Sequence, residues 1–343
     1  MKILSIVVPT YNVEKYLERC IDSLVYDEKV LNDLEILIVN DGSKDNSLQI
    51  AKKYEKQYPN TIKVIDKENG GHGSTINAGL KVATGKYFRV IDSDDWVNVD
   101  DFSNYVKDLK KYDCDLVVTN YSRELIYAGE SVEFKYSKDV EFNKVYDIDK
   151  FDLATLGDDY FFMATTTFKT DLLRKANVVL DEKTFYVDME FILFPIPYVK
   201  DFVLLDYDIY RYFIGRPDQS VNINSYIRNR SHHEKVLRKL VTFYESTKMS
   251  ENKKKYIFKI LCFMCNSHYV IYCKAKLPDK KAINEVREFD KFLRGTSPSI
   301  YETTSNMYRY IKSNRKTNFR HAQGCKNLYS RIADRLERRK RGN

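Results

Sequence analysis

The run Gly85-Lys86-Tyr87-Phe88-Arg89-Val90-Ile91 ends in Asp92-Ser93-Asp94-Asp95-Trp96, three carboxylates within four residues. Tyr87 to Ile91 reads as a strand, aromatic and β-branched and bounded by glycine upstream. Side chains alternate along an extended segment, so Asp92 and Asp94 lean to one side and Ser93 to the other. Two like charges on one side repel unless something positive lies between them. A hard divalent cation carrying a diphosphate meets that need. Taken alone, the same residues read as a solvated acidic turn, and a three-residue motif is a weak signal.

The elements that would position this cluster are legible upstream. Residues 3–8 form an apolar strand, closed by Pro9-Thr10-Tyr11-Asn12. Val13, Tyr16, Leu17, Cys20, Ile21, Leu24 and Val25 recur at steps of three and four, which predicts an amphipathic helix. Glu35 to Val39 is a second strand, closed by Asn40-Asp41-Gly42-Ser43, and Asp45 is the expected N-cap of the next helix. Residues 62–65 form a third strand. Asn69 to Gly73 reads as a flexible loop, and Ser74 opens a helix reaching Val82. Strands alternating with helices at this spacing predict a parallel α/β sheet, whose ligands bind beyond the carboxyl ends of the strands. Every polar or glycine-rich cluster of the first hundred residues then falls on one edge.

Five blocks carry a resemblance: Ser5-Ile6-Val7-Val8-Pro9-Thr10-Tyr11-Asn12, Ile38-Val39-Asn40-Asp41-Gly42-Ser43-Lys44-Asp45, Asn69-Gly70-Gly71, Asn77-Ala78-Gly79-Leu80, and Gly85 through Trp96. In order and spacing they resemble the family 2 glycosyltransferases of the GT-A fold, over about the first 220 residues. The resemblance implies a Rossmann-like, mainly parallel sheet flanked by helices. It also implies inverting transfer of a sugar from a nucleotide-sugar, a UDP-sugar, to a hydroxyl of a glycan, lipid-linked or protein-bound acceptor. Pro9, Thr10 and Tyr11 would wall the nucleotide pocket, and Asp41 would accept from the uracil imide. Asp92-Ser93-Asp94 would be the D-x-D motif, with Asp94 on Mn²⁺ or Mg²⁺ and Asp92 on the sugar or ribose as the second metal-side carboxylate. Asp188 matches the catalytic base, with Val187 where the family usually has Glu and Glu190 as the substitute carboxylate. Ile76 stands where many members have a nucleotide-contacting arginine, leaving Lys67 and His72 as candidates. Arg216 is the candidate for the arginine of the closing segment.

The remaining features bound the reading. The chain has 343 residues, enough for a GT-A domain over 1–222, with a nucleotide half to about residue 120 and an acceptor half beyond it. Helical periodicity then runs over 223–343. Strand signals at 202–205 and 209–213 are separate, and residues 121–150 read as exposed antiparallel ribbons or a mobile insertion. Six scattered cysteines suit a reducing cytoplasm rather than a disulfide framework. Cys262, Cys265, His268 and Cys273 lie in a continuous apolar setting that predicts buried helical thiols, not a zinc knuckle. The net charge of +8 gathers towards the end of the chain, where Lys312, Arg315 and Lys316 are among the basic residues and Tyr301, Tyr308, Tyr310, Phe319 and Tyr329 lie among them. Peripheral membrane contact and homo-oligomerisation are both open for that tail. No nucleic-acid reading element accompanies the charge. The competing reading is a nucleotide-binding assembly or tethering protein whose transferase domain has degenerated.

Overall fold

The structure, a computed structural model, describes residues 2–125, 128–136, 140–156, 160–215, 223–274 and 280–319. The chain divides into two compact units, Met1–Asp218 with Lys248–Lys253, and Gln219–Thr247 with Lys254–Asn343. The boundary expected near residue 222 falls outside the described residues.

In the first unit β1 (Leu4–Thr10), α1 (Leu17–Leu24), β2 (Leu34–Asp41), α2 (Ser47–Gln57), β3 (Ile62–Lys67), α3 (His72–Val82) and β4 (Tyr87–Val90) follow one another. The strands lie parallel in the order β3-β2-β1-β4. All seven residues of β1 are buried, as a strand covered on both faces requires. Each fully buried Leu, Ile or Val there contributes about 1.5–3 kcal/mol. Next come β5 (Trp96–Val97), α4 (Val99–Leu109), β6 (Leu116–Leu125), β7 (Glu130–Phe134), β8 (Val145–Asp147), β9 (Thr166–Lys169), α5 (Thr170–Lys175), α6 (Asp188–Leu193) and β10 (Asp201–Ile214). Strand β9 runs antiparallel between β4 and β6, and β6 pairs parallel with β10. Among the described residues this makes one mixed, ten-stranded sheet. The parallel half carries the expected loops, and the ribbons of 121–150 are realised as β7 against β6 and β8 against β10.

Several boundaries differ from the sequence reading. Pro9 and Thr10 continue β1 instead of ending it, pairing with Val39 and Asn40. Val7 gives its carbonyl to Ile91 N at 3.0 Å, and Pro9, two residues on, faces the same side, where β4 has ended. Its missing N–H therefore breaks no ladder bond. Helix α2 starts at Ser47 with Asn46 as its cap; the Asp45 carboxylate instead joins Ser47 N at 3.0 Å to Glu14 N at 3.0 Å. Residues 201–214 form one strand, not two. Leu205 pairs with Thr119, yet Asp208 pairs with Asn120 and Tyr210 with Tyr121, so β10 carries extra residues at two bulges. Those bulges interrupt the period-two pattern and made the strand look broken.

The second unit is helical: α7 (Ile223–Arg228), α8 (Arg230–Ser246), α9 (Glu251–Lys274), α10 (Lys280–Thr296), α11 (Pro298–Met307) and α12 (Arg309–Lys316). Val236, Leu237, Leu240 and Val241 of α8 and Ile257, Ile260, Leu261 and Met264 of α9 are buried, as their spacing predicts. Cys262 and Cys265 are buried thiols, Cys262 pushed up to about 12 by burial. Part of the aromatic and basic tail is internal. Tyr310 donates to Asn266 Oδ1 at 2.6 Å, and Phe319 is buried. Arg315 is half-buried, bonding Asp290 at 2.6 Å and lying 3.6 Å over the Tyr301 ring. Residues 320–343, with Tyr329 and most of the basic charge, lie outside the described residues. Among the described residues no helix is long and apolar enough to cross a membrane.

His233 and His268 stack in this unit, their Nδ1 atoms 3.1 Å apart, with Glu234 Oε2 3.6 Å from His268 Nε2. Burial holds both below the ordinary imidazole value, His233 at about 3, and for His268 it outweighs the opposing pull of Glu234. Folded, the rings stay neutral; unfolded, they protonate below about 6.5. The unfolded state then binds more protons, so stability is lost as pH falls from about 6.5 towards 3. Thermal unfolding of the whole chain at pH 7.5 and pH 5 should show the loss, and His233→Phe should flatten the dependence.

Candidate active site

The carboxyl edge of β1 and β2 is built by loops that fasten one another. Asn12, left-handed at φ 52°, donates N–H to Ser43 Oγ at 3.1 Å and accepts from Lys44 N at 2.7 Å. Pro9 is buried, and Thr10 turns its hydroxyl back to the Val8 carbonyl at 3.0 Å. Of that expected wall only Tyr11, 49% exposed, presents a side chain to solvent. Asp41, at the end of β2, is buried and accepts from Gly70 N and Gly71 N at 2.8 Å each, Lys67 Nζ at 2.9 Å and Ser74 Oγ at 3.3 Å. A carboxylate offers about four acceptor positions, so a nucleobase would share or displace one of these donors. Asp41 is thus the peg on which the glycine loop hangs. Lys67 is committed to it, and to the Glu68 carbonyl and Ser74 Oγ.

Helix α3 begins at His72, two residues earlier than expected, because Gly71 at φ 82° turns the chain into it. His72 is therefore no loop residue: its Nε2 lies 2.9 Å from Asp92 Oδ1. Burial pulls its pKa down, but the Asp92 bond and the charges of Asp92, Asp188 and Asp94 outweigh that and hold it above the ordinary imidazole value. Positive charge among the carboxylates thus comes in part from this chain.

After β4 the chain turns, with Asp95 N bonding the Asp92 carbonyl at 3.0 Å. Asp92 and Asp94 remain partly exposed while Ser93 and Asp95 are buried, so the inward and outward alternation holds although the backbone is a turn. Asp95 accepts from Tyr210 Oη at 2.6 Å and Phe213 N at 2.8 Å, both on β10. Burial first, then the charges of Asp94 and Asp92, push its carboxyl well above the usual range. Tyr210 Oη also stands 3.4 Å from Asp92 Oδ2. Arg19 of α1 donates to the Asp94 carbonyl at 2.9 Å and stacks over Trp96 at 3.8 Å and Phe213 at 4.4 Å. Arg19 and the reach of β10 were not read from sequence; Arg19 sits on the polar flank of an amphipathic pattern and carries no motif.

Asp188 opens α6 and is partly exposed. Burial raises its pKa; the His72 charge and the N–H groups of the helix start oppose this without cancelling it. Asp188 lies close enough to His72 and Asp92 for their charges to act on its carboxyl. Glu190, the substitute, is buried and accepts from Asp181 N at 2.8 Å, so it braces the preceding loop and has no surface from which to meet an acceptor. Val187 and Ile76, the two departures, are buried apolar residues. Arg211 pairs with Asp208 at 3.0 Å and Glu124 at 3.3 Å; Arg216 lies outside the described residues.

The donor chemistry fits a hard cation. Asp92 and Asp94, both partly exposed, offer oxygen ligands beside the buried Asp95, whose carboxyl is pushed up by burial first and then by their charges. Among the described residues no three His, Cys, Asp or Glu side chains converge as a protein cage.

A parallel nucleotide-side sheet continued by an antiparallel half, with acidic groups at the end of β4, defines the GT-A class of fold. Residues 5–167 match the model of Glycosyl transferase family 2, and this segment belongs to that family. It is 35% identical over 149 residues to Glycosyltransferase GlyA of Streptococcus pneumoniae, covering 42% of this chain and 20% of that protein. It is 34% identical over 149 residues to the minor teichoic acid biosynthesis protein GgaB of Bacillus subtilis, covering 43% of this chain and 16% of that one. The chain thus spans a minor part of these relatives. In fold it is similar to residues 1–349 of TarS from S. aureus, with a TM-score of 0.69 at 20% identity, covering 96% of this chain and 92% of that one. TarS 1–349 has also been solved with UDP-GlcNAc.

Proposed function

We propose that this chain is an inverting, metal-dependent glycosyltransferase that moves a sugar from a UDP-sugar to a hydroxyl of a glycan, lipid-linked or protein-bound acceptor. What supports this reading is that His72 of α3 bonds Asp92, just beyond β4, and that Asp188, opening α6, feels the charges of both, in a chain whose residues 5–167 match family 2. Asp188 takes the proton of the acceptor hydroxyl as its oxygen bonds to the anomeric carbon; the bond from that carbon to the diphosphate breaks, and UDP leaves with the electron pair. Attack opposite the leaving group inverts the anomeric centre. Asp94 and Asp92 would hold Mg²⁺ or Mn²⁺, which when bound neutralises charge on the departing diphosphate. His72 holds Asp92 in place. We assign the donor to residues up to about 120 and the acceptor to residues 121–222. The tail beyond residue 319 is assigned to docking on an anionic membrane or on a second copy; liposome sedimentation and gel filtration with and without it separate these.

Purified chain with Mn²⁺ should release UDP from at least one UDP-sugar, and Asp94→Ala should lower the rate by about two orders of magnitude, since the metal supplies several kcal/mol of charge stabilisation. Silence across a full panel of nucleotide sugars and acceptors, or turnover indifferent to chelator and to Asp94→Ala, overturns the proposal. UDP binding by calorimetry without turnover or metal dependence would favour the tethering reading.

A further inference from the structure

Asn77 lies midway along α3, yet its side chain serves a segment 103 residues away. Its Oδ1 accepts Leu180 N at 2.9 Å, and its Nδ2 donates to the Leu180 carbonyl at 2.9 Å. One amide thus satisfies both backbone groups of a residue whose side chain is itself buried. The same segment is pressed against the glycine loop at three further points. Lys183 N bonds the Gly70 carbonyl at 2.5 Å. A Cβ on Gly73 would stand 2.4 Å from the Asp181 carbonyl oxygen, and one on Gly71 3.1 Å from Lys183 N and Cα. Beyond these ties, Lys183 and Tyr186 both adopt left-handed backbone, at φ 51° and 69°, which side chains of their size rarely do unless the surroundings hold them. Two residues later comes Asp188.

Helix α3 therefore carries two connections on one rigid element. Its first residue, His72, meets Asp92, and five residues further Asn77 grips the chain that leads to Asp188. We infer that Asn77 is a positioning residue for Asp188, fixing the base relative to the donor-side carboxylates through the Leu180 peptide. The inference rests on the transferase reading above. It also gives the Asn-Ala-Gly-Leu block a role in this chain that does not depend on touching nucleotide, consistent with Ile76 being buried in the core.

The test uses the full chain. In Asn77→Ala, kcat should fall about 10–100-fold, as a misplaced reacting group costs, with the donor KM within twofold of the parent. In the Asp188→Asn background the same substitution should cost less than twofold, because both changes act through one group. Independently of activity, hydrogen exchange at Leu180 and Lys183 should quicken while β1 to β4 stay protected. Asn77→Asp, which keeps an acceptor for Leu180 N but loses the donor to its carbonyl, should give an intermediate kcat and serves if the alanine variant does not fold. Losses that multiply in the double variant, a raised donor KM with unchanged kcat, or unchanged exchange at Leu180 overturn the inference. Absence of turnover in the parent overturns the transferase reading instead, and the exchange measurement still decides whether Asn77 holds the loop.

Discussion

Asp188→Asn lowers kcat by about 10²–10⁴-fold, the range a positioned general base supplies, and leaves the donor KM nearly unchanged. Asparagine keeps the shape and the place at the start of α6 but cannot accept the hydroxyl proton. The parent enzyme's pH profile carries the companion signature. Burial raises the Asp188 pKa above that of an ordinary carboxyl group, and the nearby His72 charge only moderates the effect. The base acts when ionised, so activity is lost as pH falls through this raised value. The acid limb of kcat/KM should therefore lie above the usual carboxylate range near 3.9–4.3, and in Asp188→Asn that limb should vanish from the residual rate. An unchanged rate in the asparagine variant excludes Asp188 as the base.

The second large effect concerns stability. Arg89 is fully buried in the centre of the sheet, where its guanidinium donates to Thr167 Oγ1 at 3.1 Å, Thr119 Oγ1 at 3.2 Å and the Ala164 carbonyl at 2.5 Å. Its centre lies 5.5 Å from that of the Tyr105 ring, whose hydroxyl bonds Thr167 at 2.6 Å. Arg89→Ala removes one of the largest buried side chains and strands three acceptors together. Cavity and lost hydrogen bonds sum to about 3–5 kcal/mol. Arg89→Met fills most of the volume and leaves only the polar loss, so it should cost about half as much. Urea unfolding monitored by the lone Trp96 would rank the two; equal, small losses would show that the network is not structural.

Arg89 also illustrates what the sequence could and could not tell. The run Tyr87 to Ile91 announces a strand because its aromatic and β-branched residues outnumber the one charge. Nothing local says that the charge turns inward to two threonines brought in by β6 and β9. The parallel half was legible because its strands are buried on both faces and its helices have clean periodicity. The antiparallel half was less so, since bulges in β10 interrupt alternation and short strands such as β5 carry little pattern. Asp92, Asp94 and Asp188 were found through motif and resemblance. The work of Asp41, Asp95 and Asn77 depends on partners 26 to 118 residues away, and long-range pairing of that kind leaves no periodic trace.

Strand β10 has a further consequence. Its pairing with β6 is set in the core by residues 202–205, resumes after the bulges, and ends where Tyr210 and Phe213 hold Asp95. The stretch between is effectively a ruler. Deleting one residue between Leu205 and Ile209 would either remove a bulge or shift the register of every later residue against β6, and both re-aim the Tyr210 hydroxyl without touching a motif residue. Length is thus a constrained property there, alongside the contacts that Asp206, Tyr207 and Asp208 make with Asn120, Asp108 and Ser122.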